Sequence, residues 1–493
     1  MYVVDKATMQ LAETLANNSG TLFFTLMQNA GNAAANYIIK NNTVSGKEVL
    51  ILCGKGNNGG DGFVVASALA SVGAKVFVLL LQGEPATPTA KQAFLQMGNN
   101  ITVLNSSDQI KNKKFALVID AVFGTGYNGN EPTGNIKAVF SAIGKTDYAL
   151  DIPSGLECDN GKGYKTALKT GCTLTFAAKK LCHVLPFSAD VCGNVICLDI
   201  GINSETLKEA GATILENPKP TLKSRPKTCH KNTFGTAFTV TGSYGMSGAA
   251  ILSAKAALRT GVGLLKVACI NENYTALAVS VPEAVLLPLN SNGKTFKMQD
   301  INVLAENLKN ASALLVGCGF SVNDDTKKIV SALLSQTTVP TVLDADGINV
   351  VAKDIQLLKN VKAPVIITPH PAEMARLLNT DTKTVEENRF KFAAEFSAEF
   401  GVYTVLKGAN TIIASPGGQL VVNTNGNAGL ASAGSGDVLS GIMVALLANG
   451  LEPFAAATSA VWLHAAAGDA AKDLFGEKAM LPSDVIEQLY RFL

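Results

Sequence analysis

Two successive series of short apolar runs, each alternating with helix-compatible sequence, constrain this chain more than any other feature. In the first, EVLILCG (48–54), KVFVLLL (75–81), FALVIDAVFG (115–124), YALDIPSG (148–155) and NVICLDIG (194–201) read as buried strands. A polar stretch rich in proline and lysine, ILENPKPTLKSRPKTCHKNTFG (214–235), then breaks the pattern. In the second, TAFTVTG (236–242), GLLKVACI (263–270), ALLVGCG (313–319), TVLDADG (341–347), PVIITPH (364–370) and YTVLKGANTIIAS (403–415) read the same way. Helices are expected at 247–261, after Gly436, and at 455–475. Apolar runs of this kind, spaced by helices, build parallel sheets covered on both faces. The expected class is α/β in two domains, residues 1–215 and 222–493, joined by the polar stretch. A chain of 493 residues is too long for one ordinary core.

Charge narrows the function. A formal net charge of +2, with lysine and arginine scattered, gives no footprint for nucleic acid or an anionic membrane. No stretch approaches the ~18 apolar residues of a membrane span, and no signal peptide is read at the N-terminus. Nine cysteines stand singly without a C-x-x-C pair. Reduced thiols in a cytoplasmic protein are expected, rather than zinc or disulfides.

CGKGNNGGDGFVVASALA (53–70) places a Gly-Asn loop between a buried strand and a helix. Glycine permits close approach of a ligand to the backbone, and the helix N-terminus offers N–H groups to an anion. The spacing is neither G-x-G-x-x-G nor a P-loop. The same residues also suit a tight turn, with Asp61 in the first part of the helix. Two more strands end in Asp120 before a glycine-rich loop, and in Asp151 and Ser154 within DIPSG. Ligands of open parallel sheets bind outside the carboxyl ends of strands. Asn58, Asp120 and Ser154 are hard oxygen donors suited to a cation. Singly, each such aspartate also suits a cap or a turn.

NNGGDG, DAVFGTG and DIPSG together resemble the NAD(P)H-hydrate epimerase domain, with LMQNAG (26–31) similar to its N-terminal helix motif. The resemblance covers residues 1–215 and implies a Rossmann-like three-layer fold. It implies that Asn57, Asn58, Gly59, Gly60, Asp61, Gly124, Thr125, Gly126, Tyr127, Asn128, Gly129, Asn130 and Asp151 contact hydrated NADH or NADPH. It further implies that Asn58, Asp120 and Ser154 bind potassium. Epimerisation moves a proton, and Asp151 is the candidate acid/base.

NAGLASAGSGDVLSGIM (427–443) surrounds Asp437 with glycines and serines before an apolar helical run. Gly434, Ser435 and Gly436 are expected to form a turn, with the helix starting at Asp437. The turn's N–H groups suit a phosphoryl oxygen. A carboxylate at that edge suits proton removal from an attacking hydroxyl; it also suits a simple helix cap. LKGANTIIAS (406–415) offers Lys407 and Gly408 to a nucleotide. VLDADGIN ends a strand in Asp344 and Asp346, and TPHPAE ends one in His370. His464, beside Trp462, reads as a core residue. Lys179, Lys180 and His183 carry no usable spacing.

GSYGMSGAAILSAKAALRTGVG, TPHPAE, KGANT and NAGLASAGSGDVLSG, in that order, resemble the NAD(P)H-hydrate dehydratase domain of the ribokinase-like fold. Departures are Ala372, Ala433, and Ser321 where a glycine is common. The resemblance implies that Lys407, Gly408, Ala409, Asn410, Thr411 and Gly436 bind the adenine nucleotide. Ala249, Gly319, His370 and Asp437 would contact the hydrated substrate. The fused arrangement implies ADP as co-substrate, giving AMP and phosphate, and Mg²⁺ is expected because phosphoryl transfer needs charge neutralisation. A homo-oligomer is expected. The rival reading is a small-molecule kinase of the ribokinase-like group with a nucleotide-sensing N-terminal domain.

Overall fold

Along the strand Glu48–Cys53, alternate side chains enter two different apolar layers. Val49, Ile51 and Cys53 join a core with Leu26, Ala30, Ala34, Phe63 and Leu69. Leu50 and Leu52 join another with Leu79, Val139 and Phe140. A strand apolar on both faces must be covered on both, which is why the sequence reads as an unbroken apolar run. Each fully buried leucine, valine or phenylalanine contributes roughly 1.5–3 kcal/mol over its exposed state.

The computed structural model describes residues 1–111, 113–222, 224–289 and 293–493. Lys223 of the expected connector lies outside the described residues. The chain divides into two compact units, Met1–Leu215 and Glu216–Leu493.

The first unit is a three-layer α/β domain. Its sheet has the order Thr102–Leu104, Lys75–Leu80, Glu48–Cys53, Leu117–Ala121, Lys145–Leu150, Lys169–Phe176, Asn194–Leu198. Every pairing in it is parallel. The chain winds outward from Glu48–Cys53, then returns to its other side at Leu117–Ala121. That reversal is the switch point where such sheets open a crevice. Tyr2–Val4 pairs separately with Ile214–Glu216 and with Lys179–Lys180.

The second unit repeats the logic with different parts. Its strands run Val285–Leu289, Leu264–Ile270, Thr236–Val240, Ala313–Val316, Thr341–Leu343, Val365–Ile367 and Tyr403–Leu406, all parallel. Thr411–Ala414 and Leu420–Asn423 extend that edge antiparallel. The switch point lies between Thr236–Val240 and Ala313–Val316. The helix Ser435–Ala448 is buried almost throughout. It packs on the helix Ser247–Thr260 so closely that a Cβ on Gly441 would meet the Ser253 carbonyl at 2.2 Å.

The expected strands are present, and among the described residues seven more join the sheets, three of them the short Tyr2–Val4, Lys179–Lys180 and Ile214–Glu216. Lys169–Phe176 is hidden in the sequence by Thr170, Thr173 and Thr175, which are buried and hydrogen-bonded. Val285–Leu289 carries Pro288, which an edge strand tolerates. Thr102–Leu104 and Leu420–Asn423 are too short to show a period. The expected connector is only partly one. Asn217 is buried, its N–H donates to Val422 O at 2.8 Å, and its amide reaches Thr458 O at 2.9 Å. The helix carrying Asp437 begins at Ser435, two residues earlier than expected, because Ala433 and Gly434, the latter at φ 94°, complete the turn before it, closed by Ser435 N–H donating to Ser432 O at 3.2 Å. Among the described residues, no helix is long and apolar enough to cross a membrane.

Candidate active sites

A cavity of about 560 Å³ opens at the first unit's switch point. Asn57, Asn58, Asp61, Gly124, Thr125, Gly126, Tyr127, Asn128 and Asp151 line it. Gly59 and Gly60 lie behind that lining: a Cβ would stand 2.0 Å from Gly54 O at the first and 2.5 Å from Met27 Cε at the second. Gly129 and Asn130 are also outside it. Asn130 is instead held through its carbonyl by the Tyr127 hydroxyl.

Asp151 caps the strand Lys145–Leu150 with φ 61°, a left-handed conformation unusual for a side-chain-bearing residue. Such strain persists only where surroundings fix it. Lys180 supplies the fixing. Its ammonium is buried and donates to Asp151 Oδ1 at 2.5 Å, Thr175 Oγ1 at 2.9 Å and Phe176 O at 2.9 Å. Burial works against the Lys180 charge, but Asp151 more than compensates and raises its pKa. Glu13, from the helix Lys6–Asn18, lines the same cavity. Withdrawal from solvent, then the charge of Asp151, lifts its pKa to about 7. The same causes, with Glu13 added, raise Asp61 well above the carboxylate range.

A separate cluster of oxygens stands beside this cavity. Asp120 is fully buried; it accepts from Ser154 Oγ at 2.5 Å, Ser154 N at 2.7 Å and Val122 N at 3.1 Å. Burial pushes it up to about 6 against those hydrogen bonds. Phe123 ties the set together: its N–H donates to Ser154 Oγ at 2.8 Å, and its carbonyl accepts from Asn58 Nδ2 at 2.9 Å. Asn58 Oδ1 is buried with no hydrogen-bond partner.

In the second unit the strand ends converge on Asp344. This buried carboxylate accepts from Lys407 Nζ at 2.8 Å, Thr368 Oγ1 at 2.7 Å and Ser440 Oγ at 2.8 Å. Burial opposes its charge, but Lys407 and these hydrogen bonds hold it below the usual range. Ser440 lies one turn beyond Asp437, so Asp344 anchors the helix that presents Asp437. A Cβ on Gly436 would stand 3.2 Å from Lys407 Nζ and 3.7 Å from Asp344 Oδ2. Asp437 is half-buried; burial, then the Asp344 charge, raises it to about 6. Ligand atoms of Cys318, Asp344 and Asp437 lie within 4.8 Å of one another.

Other expected residues border this group. Gly319, at φ 59°, has no room for a Cβ, which would lie 3.0 Å from Ala249 Cβ. Ser321 occupies the left-handed region at φ 67°, which explains why glycine is common at such a position. His370 caps the helix Pro371–Leu378, its Nδ1 accepting from Ala372 N and Glu373 N at 3.2 and 3.3 Å. That fixes the neutral proton on Nε2, and burial followed by Lys407 lowers its pKa. Lys407 N–H donates to Pro369 O at 2.8 Å, which joins this strand end to the next. Buried Arg389 holds the Lys407 to Asn410 turn through carbonyls of Leu406, Lys407 and Asn410 at 3.3–3.4 Å. Ala409 is exposed and Thr411 half-exposed at the rim of the turn.

Sequence reasoning missed Lys180, Glu13 and Arg389, and gave Asp344 no role. Lys180 had no motif around it, and only its place beside the Asp151 strand end gives it meaning. His464 is buried as expected, yet its Nε2 lies 3.2 Å from Ser435 Oγ at the start of the Asp437 helix.

Comparison with known proteins finds relatives of both units. The family described as NAD(P)H-hydrate dehydratase matches residues 237–491, and that described as YjeF-related protein N-terminus matches 24–182. The Bifunctional NAD(P)H-hydrate repair enzyme Nnr of Moorella thermoacetica is 36% identical over 511 residues, covering 99% of this chain and 96% of its own. An ADP-dependent (S)-NAD(P)H-hydrate dehydratase of Neisseria meningitidis is 40% identical over 59% of this chain and 95% of its own. The crystal structure of an ADP/ATP-dependent NAD(P)H-hydrate dehydratase of Bacillus subtilis is 28% identical, with a TM-score of 0.48, over 55% of this chain and 93% of that one. With both family matches in register with the two units, this chain belongs to the bifunctional NAD(P)H-hydrate repair enzymes, which join an epimerase domain to an ADP-dependent dehydratase domain.

Proposed function

We propose that the unit Met1–Leu215 interconverts the R and S hydrates of NADH and NADPH, and that Glu216–Leu493 dehydrates the S hydrate with ADP. The observation that carries the reading is the presence of two separate strand-end sites, one built on Asp151–Lys180 and the other on Asp437–Asp344–Lys407.

In the second site Asp437 removes the proton of the ring hydroxyl as its oxygen attacks the β-phosphorus of ADP, and AMP leaves. The first-turn N–H groups of the helix Ser435–Ala448 face the developing phosphoryl charge. Lys407, held by Asp344, adds positive charge. The ring nitrogen's lone pair then expels phosphate, and loss of a proton from the adjacent carbon regenerates the dihydropyridine. The sum is hydrate plus ADP giving NAD(P)H, AMP and phosphate. Asp344 is already engaged by Lys407, Thr368 and Ser440, so Mg²⁺ would be held chiefly by the nucleotide's phosphates, whose charge it neutralises. A stable phosphorylated product, as from a small-molecule kinase, is not expected.

In the first site Asp151 accepts or returns the proton that inversion requires, and Lys180 holds its carboxylate in place through the 2.5 Å contact. Asn58, Asp120 and Ser154 would hold potassium. The orphaned Asn58 Oδ1 and the single carboxylate of Asp120 fit a weakly charged cation that accepts oxygen ligands. The bound ion would neutralise Asp120 and brace the loop at Gly124.

Nine free cysteines support a reducing, cytoplasmic setting. Exposed Leu11 and Leu22 supply apolar surface for a homo-oligomer. The test supplies the purified chain with separated R or S hydrate, with and without ADP and Mg²⁺. The S hydrate should give NAD(P)H only with ADP, and the R hydrate should equilibrate without it. Dehydration of R at the same rate as S, with no epimerisation, would remove the proposed division of labour.

A further inference from the structure

We infer that Glu13 is a catalytic acid–base residue of the epimerase, exchanging a proton with the ring hydroxyl from one wall of the cavity while Asp151 serves from another. The inference rests on the epimerase reading of the first unit.

Inversion at the hydroxyl-bearing carbon needs two proton movements. The hydroxyl leaves as water once protonated, and the ring nitrogen's lone pair forms a C=N bond. A water molecule then adds from the other face and gives up a proton. One group donates and a second accepts, and the reverse reaction exchanges their roles. A pair of carboxyls in unlike environments does this best.

Six titratable side chains line this cavity: Glu13, Lys55, Asp61, Tyr127, Asp151 and Lys180. The Tyr127 hydroxyl is spent on the Asn130 carbonyl, and Lys55 is exposed. Lys180 is not available for proton exchange, since Asp151, Thr175 and Phe176 occupy its three donors. Its ammonium bonds directly to Asp151 Oδ1 at 2.5 Å. Glu13 is different. No hydrogen bond or ion pair within the protein engages its carboxyl among the described residues, so nothing but a ligand competes for it. It faces Asp151 and Lys180 from the strand side and Asp61 from the helix Asn57–Ser71. Burial and Asp151 place its proton exchange at about pH 7, where a group can serve as acid and base in turn. Burial, then the charges of Asp151 and Glu13, raise Asp61 well above the ordinary carboxylate range.

The test uses the full chain with purified R hydrate and no ADP, reading the approach to the R and S mixture across pH. Dehydration of S hydrate with ADP serves as the folding control. Glu13→Gln keeps size and polarity and should lower the epimerisation rate by roughly 10²–10⁴. It should also remove the titration near neutrality from the pH profile, and leave dehydration intact. Glu13→Asp, which restores the acid one methylene back, should recover part of the rate and the titration. A Glu13→Gln enzyme with the parent rate would overturn the inference. So would a slowed enzyme with an unchanged pH profile, since that marks a structural role. If Asp61→Asn abolishes turnover and Glu13→Gln does not, the acid is Asp61. If the parent chain fails to epimerise at all, the epimerase reading falls, and this inference with it.

Discussion

Lys180 Nζ lies 2.5 Å from Asp151 Oδ1, and only 1% of the lysine side chain is exposed. A lysine so deeply buried is tolerated because all three of its donors are used, by Asp151, Thr175 and Phe176. The pair links a strained strand end to the neighbouring strand Lys169–Phe176. It therefore joins fold stability to catalysis in the first unit.

Lys180→Met should expose that link. It leaves the Asp151 carboxylate buried without its cation, a change that typically costs about 3–5 kcal/mol. Epimerisation should disappear and the first unit should unfold at lower temperature, while dehydration persists. Calorimetry together with both assays checks this. Undiminished epimerisation would show that Asp151 does not need its partner.

Exchanging potassium for lithium should slow epimerisation and spare dehydration. The basis is the buried, unpartnered Asn58 Oδ1 beside Asp120 and Ser154. A smaller ion fits long oxygen contacts poorly and dehydrates reluctantly. Asp120→Ala should remove the cation response altogether. A dehydratase that responds equally to the exchange would place the effect elsewhere.

Gly436→Ala separates packing from chemistry. The position is in the first turn of a helix, where alanine suits the backbone. Its methyl would press on Lys407 Nζ at 3.2 Å. Thermal stability should hold or rise slightly, while ADP binding and dehydration weaken. Full activity would mean that Lys407 has freedom to move and still functions.

The dehydration rate should fall as pH drops through about 6, where Asp437 takes up its proton. The sign follows from the role: a general base works only when ionised, so the rate is full above that pH and declines below it. Asp344, held below the ordinary range by Lys407, stays charged throughout and adds no limb of its own. A rate-against-pH series under saturating ADP measures this. A rate that climbs on acidification would assign Asp437 the opposite role.

The fold was legible wherever residues were apolar on both faces of a strand. It was hidden where buried threonines broke the run, as at Thr170, Thr173 and Thr175, or where Pro288 interrupted an edge strand. Site residues were legible when glycine or proline marked a turn around them, as with Asn58, Asp151, His370 and Asp437. Lys180 and Glu13 carry no such marks. Each reaches its cavity from a segment with no glycine-rich loop, and only tertiary packing reveals them. Asp344 was visible as a strand end, but its three partners come from 24, 63 and 96 residues away.

The central claim is that Asp437 is the base that readies the ring hydroxyl, and Asp437→Asn tests it most directly. Asparagine ranks with aspartate near a helix start, so a purely capping residue would be replaced almost without cost. The measurement is the initial rate of S-hydrate dehydration with ADP, with epimerisation of R hydrate in the same preparation as internal control. The predicted result is a loss of roughly 10²–10⁴ in dehydration rate, with epimerisation, ADP binding and melting temperature retained. Near-normal dehydration by the Asn variant would contradict the account.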